Sequence, residues 1–183
     1  YDQFCFGDIN FTSMLKFPEI RDRLIILNGW SKTYAMTGWR LGYGVFPDKL
    51  CEIAEKLAVN IHSCVNASAQ YAALEALTGH QGCVQEMNEF FKKRADLMFT
   101  ELNKIRGFNC QKPHGAFYCF PNISRTNKSS MEAQNLLLDK IGVATVAGTS
   151  FGKYGEDFIR LSCANSDEAI EEAMFRLNDF FNN

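Results

Sequence analysis

The chain has 183 residues and a formal net charge of −2, with 19 lysines and arginines against 21 aspartates and glutamates. Hydrophobic residues make up 46% and charged residues 22%, close to the average of globular domains, which excludes a disordered tail, a collagen-like repeat and a disulfide-stabilised miniprotein. The balanced charge argues against nucleic-acid binding, and no apolar run reaches the roughly 18 residues that a membrane span needs.

The first half of the chain alternates short apolar runs with helical patterns. Residues 24–27 predict a buried strand, and residues 41–46 predict a second one. Asp48 is a candidate N-cap for a helix with one apolar face. An alanine-rich helix is predicted over about residues 67–77, and it ends near Gly79.

The second half begins with a long helix, predicted over residues 83–105. Beyond it, short β-like runs alternate with helices. Ser129 and Glu132 have the spacing of a capping box at the start of one helix, and the last helix begins near Ser166. The pattern indicates a compact α+β unit that the long helix joins to the first half. The β-like runs span residues 116–120, 143–146 and 158–163.

Seven cysteines, an odd number, are scattered along the chain, and no two are separated by only two residues. Several lie in apolar stretches, as Cys119 does. We therefore expect buried free thiols and a reducing, cytoplasmic location. His62, His80 and His114 are equally scattered, so the spacing predicts no metal site.

Residues that can carry chemistry concentrate in the segment 28–42, between the two strands predicted in the first half. Lys32 follows an apolar run, where loss of hydration favours the neutral amine that attacks an aldehyde. Arg40 has a permanently charged, fork-shaped guanidinium that suits a pair of phosphate oxygens. Gly38 and Gly42 let the backbone pass close to a ligand. Taken alone, such a pair is more often a solvent-facing lysine and a surface salt bridge.

Another arginine lies in a strand-like alternation near the end of the chain. Ile159, Leu161 and Cys163 share one face of this run. Arg160 and Ser162 share the other. An arginine fixed on a strand suits bidentate capture of a carboxylate, although an exposed edge-strand arginine is the simpler interpretation of the alternation alone.

Together these strings resemble the pyridoxal-phosphate-dependent aminotransferases of class I and II. Residues 31–42 are similar to the family's cofactor-attachment signature, which is a small residue, a lysine, and then Gly-x-Arg-aliphatic-Gly. Residues 114–121 are similar to its Gly-x-Phe-Tyr-x-Phe-Pro strand, 148–152 to its loop before the last strand, and 158–162 to the strand whose arginine binds the substrate α-carboxylate. The chain departs at Gly29, where the family often has a phosphate-binding serine.

The resemblance implies roles for five residues. Lys32 is expected to hold pyridoxal 5'-phosphate as an internal aldimine and to be the catalytic residue. Arg40 is expected to bind the cofactor's phosphate, and Ser31 to replace in part the missing phosphate-binding serine. Tyr1 is expected to meet the cofactor's phenolic oxygen, and Arg160 to bind the substrate carboxylate.

The implied fold is the α/β architecture of fold type I. Residues 1–82 are expected to form the end of the large cofactor-binding domain, and residues 83–183 the small domain with its connecting helix. Because members of the family are about twice as long, the chain resembles the C-terminal half of one. The parent protein is expected to be a homodimer that moves an amino group from an L-amino acid to a 2-oxo acid.

Three alternatives stay open at this stage. A carbon–sulfur lyase or a cyclopropane-carboxylate synthase of the same fold would keep Lys32, Arg40 and Arg160. A truncated, non-catalytic fragment would bind no cofactor and would expose apolar surface such as residues 24–27 to water. An unrelated α/β protein would match the motifs by accident.

Overall fold

A computed structural model describes all 183 residues, which fold as two compact units, Tyr1–Glu86 and Met87–Asn183. The boundary between the units lies inside the longest helix, so that helix contributes to both of them. The division into a large and a small domain at residue 82 stays a prediction. None of the helices has the combination of length and apolar character that crossing a bilayer requires.

The first unit contains a two-stranded antiparallel sheet and two helices of its own. Both predicted strands and both predicted helices are present. In chain order these elements are β1 (Ile26–Gly29), β2 (Gly42–Val45), α1 (Asp48–His62) and α2 (Ala67–Thr78), and α3 (Gly82–Leu102) begins in this unit.

The ends of α1 and α2 are set by different devices. Pro47 precedes α1 without a side-chain hydrogen bond, and Asp48 is the first helical residue, so the predicted Asp48 cap is wrong. The Asp48 carboxylate instead lies in the first turn, where the helix dipole favours a negative charge. At α2, the Asn66 side chain accepts a hydrogen bond from the N–H of Ala69 at 3.0 Å, and the helix ends before Gly79 as predicted.

The prediction that the first strand is buried is wrong. Leu27 is 77% exposed and Ile25 is 47% exposed. Likewise α1 has no buried residue, and its Ile53 and Leu57 are more than half exposed. The apolar sequence pattern marks faces that are suited to burial, but no element of the structure covers them.

The second unit is built on a three-stranded antiparallel sheet with β5 in the middle. Each strand overlaps one of the predicted β-like runs, and both predicted helices are present. The elements are β3 (Tyr118–Cys119), α4 (Ser130–Ile141), β4 (Val146–Ala147), β5 (Ile159–Ser162) and α5 (Asp167–Asn182).

Burial along β5 follows the predicted alternation. Ile159 and Leu161 are buried, whereas Arg160 is half-buried and Ser162 is exposed. The inward residues pack into a core that helices α3, α4 and α5 complete, because each of these helices contributes buried side chains. The largest fully buried apolar side chains of this core include Met98, Leu102, Leu137 and Leu177.

The capping box at the start of α4 is present as predicted. The Ser129 hydroxyl accepts a hydrogen bond from the N–H of Glu132 at 3.2 Å, and the Ser129 N–H donates to the Glu132 carboxylate at 2.9 Å. The Ser129 N–H and the Ser129 hydroxyl both donate to the Glu132 carboxylate, and these two hydrogen bonds lower the pKa of Glu132. The helix ends at Gly142, whose φ of 68° is the left-handed conformation that a glycine adopts easily.

Replacing Ser129 by alanine is expected to lower the free energy of unfolding by about 1 kcal/mol, because an N–H of the first helical turn loses its acceptor. Urea denaturation followed by circular dichroism measures this change. Ser150→Ala is the matched control, since Ser150 is exposed and its replacement is expected to change the free energy by less than about 0.5 kcal/mol. Equal stability of the two variants would contradict the prediction.

All seven cysteines are free thiols, but only three of them are buried. Cys110, Cys119 and Cys163 form a cluster in the second unit. Hydrogen bonds with Cys110 and Cys163, together with burial, raise the pKa of Cys119. The prediction of buried thiols is therefore right for this cluster and wrong for three others. The exposed thiols are Cys51, Cys64 and Cys83.

The three exposed thiols are expected to react with a maleimide while the protein is folded, and the three buried ones only after unfolding. The reason is that a reagent in solution does not reach thiols that are buried in the core. Peptide mass mapping after timed labelling, with and without denaturant, measures the difference. If Cys119 were labelled as fast as Cys64 in the native protein, the reagent would have access to the buried cluster. The prediction would then be wrong.

Candidate functional site

Lys32 lies on a single turn that follows β1. The N–H of Tyr34 donates to the carbonyl of Trp30 at 3.2 Å, and the N–H of Ala35 donates to the carbonyl of Lys32 at 3.2 Å. Ala35 has a φ of 52°, a strained conformation for an L-residue, and it ends the turn. The Lys32 side chain is half-buried and projects from a backbone that these bonds hold.

The residues on both sides of Lys32 anchor the turn to α2 and to the segment after it. The Trp30 indole N–H donates to the carbonyl of Ala73 at 3.1 Å. The Tyr34 hydroxyl donates to Oε1 of Gln81 at 3.2 Å. Because one anchor precedes the lysine and the other follows it, the position of the Lys32 Cα is fixed from both sides.

The alanine stripe of α2 explains how the lysine loop lies so close to that helix. Small side chains at helical spacing let the backbone of a neighbouring segment approach. Met36 and Leu41, from the loop between Lys32 and β2, form a buried cluster with Ala69 and Ala73. The alanine-rich helix that the sequence predicts is therefore the support of the lysine loop.

The first residues of the chain pack near the same turn. Burial raises the pKa of Tyr34, and the negative charge of Asp2 acts in the same direction, so Asp2 lies near Tyr34. The N–H of Phe4 donates to the carbonyl of Tyr1 at 2.9 Å, and the Phe4 ring is only 1% exposed. The structure thus places Tyr1 in the unit that carries Lys32, with its ring 43% exposed.

Arg40 follows a short 3-10 turn, Thr37–Trp39, and has a φ of 55°. Its guanidinium donates to the carbonyl of Thr37 at 2.9 Å. The side chain is exposed and lines a surface groove of about 1320 Å³ that the β1–β2 hairpin and α1 also line. Tyr1, Ser31 and Lys32 do not line this groove, so only one of the four candidate residues of this unit borders it.

Gly29 is required by the close approach of β1 and β2. A Cβ atom at this position would lie 2.8 Å from the carbonyl oxygen of Leu41, which is too close for any side chain. A serine therefore does not fit here without movement of the backbone. Ser31, two residues later and half-buried on the lysine turn, is the hydroxyl nearest in sequence to Lys32 on its N-terminal side.

In the second unit, Arg160 lies on the central strand and not at an edge, so the simpler interpretation of an edge-strand arginine is wrong. Its guanidinium carbon lies 4.4 Å from the centre of the Tyr118 ring and 4.6 Å from that of Phe151. The guanidinium has no hydrogen bond or ion pair with any group of the chain. A half-buried cation with all its N–H donors available is suited to an anionic ligand.

Four residues that anchor the Lys32 turn or contact the Arg160 guanidinium were not predicted from the sequence to have a role. No local sequence pattern indicates the anchoring role of Trp30 and Tyr34, because their hydrogen-bond partners are 43 and 47 residues away in the chain. Tyr118 could have been found from strand parity, since it pairs with the residue two positions after Arg160. Phe151 lies in a loop, where no periodicity applies.

The donor set of the first unit fits a ligand that carries both an aldehyde and a phosphate. Lys32 supplies an amine, Arg40 a guanidinium and Ser31 a hydroxyl, and all three lie within one loop. An amine binds an aldehyde carbon covalently, whereas a guanidinium and a hydroxyl bind phosphate oxygens.

Comparison with known proteins gives consistent matches over the whole chain. A family model described as aminotransferase class I and II matches residues 1–177. The aspartate aminotransferase of Sulfurisphaera tokodaii is 40% identical over 185 residues, covering 98% of this chain and 46% of that protein. The aromatic-amino-acid aminotransferase 2 of Thermococcus litoralis is 36% identical over 179 residues, covering 97% of this chain and 46% of that protein.

Solved structures agree with these matches. The crystal structure of an aromatic aminotransferase from Pyrococcus horikoshii OT3 has a TM-score of 0.96 and 37% sequence identity, and the match covers 100% of this chain and 49% of that one. This similarity confirms the predicted α/β fold and excludes an accidental match of motifs. The chain spans about half the length of the relatives it matches.

Proposed function

Because the chain belongs to the class I and II aminotransferases, we propose that its parent protein transfers an amino group from an L-amino acid to a 2-oxo acid. The observation that carries this proposal is the Lys32 turn, with an amine held between two anchored aromatic residues. The amine, guanidinium and hydroxyl of the segment between β1 and β2 are donor types that suit pyridoxal 5'-phosphate. When bound, that cofactor supplies an electron sink for the electrons left at the substrate Cα.

Lys32 is proposed to perform two tasks in turn. Its Nζ would hold the cofactor at its aldehyde carbon, the group that a neutral amine attacks. Its amine would also accept the proton from the substrate Cα and return it on the other side of the transfer. Both tasks need a primary amine that can lose its charge.

The remaining proposed residues bind and orient. Arg40 and Ser31 hold the phosphate, and the Tyr1 hydroxyl donates a hydrogen bond to the phenolic oxygen of the cofactor. Arg160 holds the substrate α-carboxylate through paired N–H donors, which orients the Cα–H bond for proton removal. The parent protein is proposed to be a cytoplasmic homodimer, and the seven free thiols support a reducing location.

Cofactor trapping tests the role of Lys32. The full-length protein is incubated with pyridoxal 5'-phosphate, reduced with borohydride and mapped by peptide mass. We expect selective labelling of Lys32 and its loss in the Lys32→Ala variant. Lys49→Ala is the matched control, because Lys49 is an exposed lysine of the same unit. Labelling that is scattered over surface lysines and unchanged in Lys32→Ala would refute the proposal.

Dependence on an acceptor separates an aminotransferase from a lyase or synthase of the same fold. An amino donor alone is expected to give one turnover for each site, and continued turnover is expected only when a 2-oxo acid is added. Continued product formation from the donor alone would favour a lyase or a synthase. The relatives in the comparison carry aminotransferase names, which supports transamination.

A further inference from the structure

The surroundings of Arg160 indicate how the substrate carboxylate is selected, provided that the proposed function holds. We propose that Tyr118 and Phe151 are positioning and specificity-determining residues. Both rings lie against the guanidinium of Arg160. In this proposal they cover its faces and leave its edge to the ligand, and an open edge favours a planar carboxylate over a tetrahedral oxyanion.

Two aromatic rings from different segments of the chain lie against the cation. The Tyr118 ring lies 4.4 Å from the guanidinium carbon and the Phe151 ring 4.6 Å. Phe151 makes a ring contact with Phe120, and Tyr118 makes one with Phe117. The face of an aromatic ring attracts a cation, and this attraction uses none of the guanidinium's N–H donors.

Sheet register places Tyr118 beside Arg160. Tyr118 pairs with Ser162 across β3 and β5, and Arg160 is two residues before Ser162 on the same face. Diagonal neighbours of this kind lie within reach of aromatic and long side chains. The Tyr118 ring is therefore held by the sheet and does not depend on a mobile loop.

Phe151 reaches the guanidinium from a short 3-10 turn, Gly148–Phe151. The N–H of Gly148 donates to the carbonyl of Phe158 at 2.8 Å, which ties the turn to the start of β5. The Phe151 ring contacts Phe120 edge-on, with ring centres 6.0 Å apart, and Phe120 stacks on Phe158 at 5.0 Å. Phe151 is nevertheless 54% exposed, so burial in the core does not explain its position.

The charge distribution of the two rings determines which anion the Arg160 guanidinium prefers. A carboxylate is planar, and both of its oxygens can lie in the plane of the guanidinium as two parallel hydrogen bonds. A phosphonate is tetrahedral and directs a charged oxygen out of that plane, toward a ring face. Because ring faces carry negative partial charge, the out-of-plane oxygen of a phosphonate is repelled.

Kinetics of the full-length protein test this proposal. Tyr118→Leu and Phe151→Leu are expected to raise the KM for the donor amino acid about tenfold with little change in kcat. The preference for the amino acid over its 1-aminoalkylphosphonate analogue, measured as KM against the inhibition constant, is expected to fall about tenfold as well. Tyr118→Phe and Phe151→Tyr keep the rings and are expected to behave like the parent protein.

The controls separate the possible failures. Phe175→Leu removes an exposed ring from α5, where Phe175 is 68% exposed, and should leave KM and selectivity unchanged. If Tyr118→Leu does not fold, Phe151→Leu decides, because its ring is half exposed. Unchanged KM and selectivity in the leucine variants of an active protein would overturn the proposal. A parent protein without Lys32 labelling or transamination would instead overturn the proposed function.

Discussion

Lys32→Ala is expected to reduce amino-group transfer by the full-length protein by about 10⁴-fold, because the proposed cofactor anchor and proton acceptor are lost together. Lys32→Arg is expected to lose as much, although it keeps the positive charge. A guanidinium stays protonated at all ordinary pH values, so it neither attacks an aldehyde nor accepts a proton from carbon. The measurement is kcat with saturating donor and 2-oxo acid.

Lys49→Ala provides the comparison for both variants and is expected to keep kcat within about twofold of the parent protein. Thermal unfolding of all three variants separates loss of chemistry from loss of the fold. A Lys32→Arg variant that retains a tenth or more of the parent kcat would show that the charge of Lys32 matters and its neutral amine does not. The assignment of Lys32 as proton acceptor would then be wrong.

Local chemistry in the sequence was sufficient to place most elements. The Ser129 and Glu132 spacing located the start of α4, because a capping box is complete within four residues. The period-two pattern around Arg160 predicted which residues of β5 are buried, since successive side chains of a strand point to opposite faces. Signals of this kind depend only on neighbours in the chain.

Burial itself could not be predicted from the same patterns. The apolar run around Leu27 has the composition of a buried strand, yet its side chain is mostly exposed, because exposure depends on which other element covers that face. Cys64 and Cys119 illustrate the same point for thiols: one is exposed and the other is buried. An apolar face favours burial. Whether it is buried depends on whether another element packs against it.

The residues of the candidate site that belong to a sequence motif could be predicted. The residues that hold the site in place through contacts with distant parts of the chain could not. Lys32 and Arg40 stand at a characteristic spacing, so the amino-acid sequence alone identifies their loop. The anchor made by Trp30 depends on a carbonyl of α2 that is 43 residues away, and no local pattern encodes it. Trp30 is an unusually bulky residue at this position, and its hydrogen bond gives that bulk a physical reason.

Gly148→Ala is expected to be strongly destabilising, by about 3 kcal/mol, although it adds a single methyl group. The new Cβ would collide with the carbonyl oxygen of Gly155 and would lie 2.6 Å from that of Phe158. Both obstacles are backbone atoms, so no side-chain rotation relieves them. Urea denaturation measures the loss, and Gly38→Ala is the control, because nothing lies within 4 Å of a Cβ there.

The same substitution links stability to substrate binding. Gly148 begins the turn that carries Phe151 to the guanidinium of Arg160, so movement of the backbone at Gly148 displaces that ring. The fraction of Gly148→Ala protein that folds is therefore expected to show a raised KM for the donor amino acid, as Phe151→Leu does. Full stability together with a parent-like KM would mean that the turn moves freely away from Gly155, and the positioning role of Phe151 would then lose its structural basis.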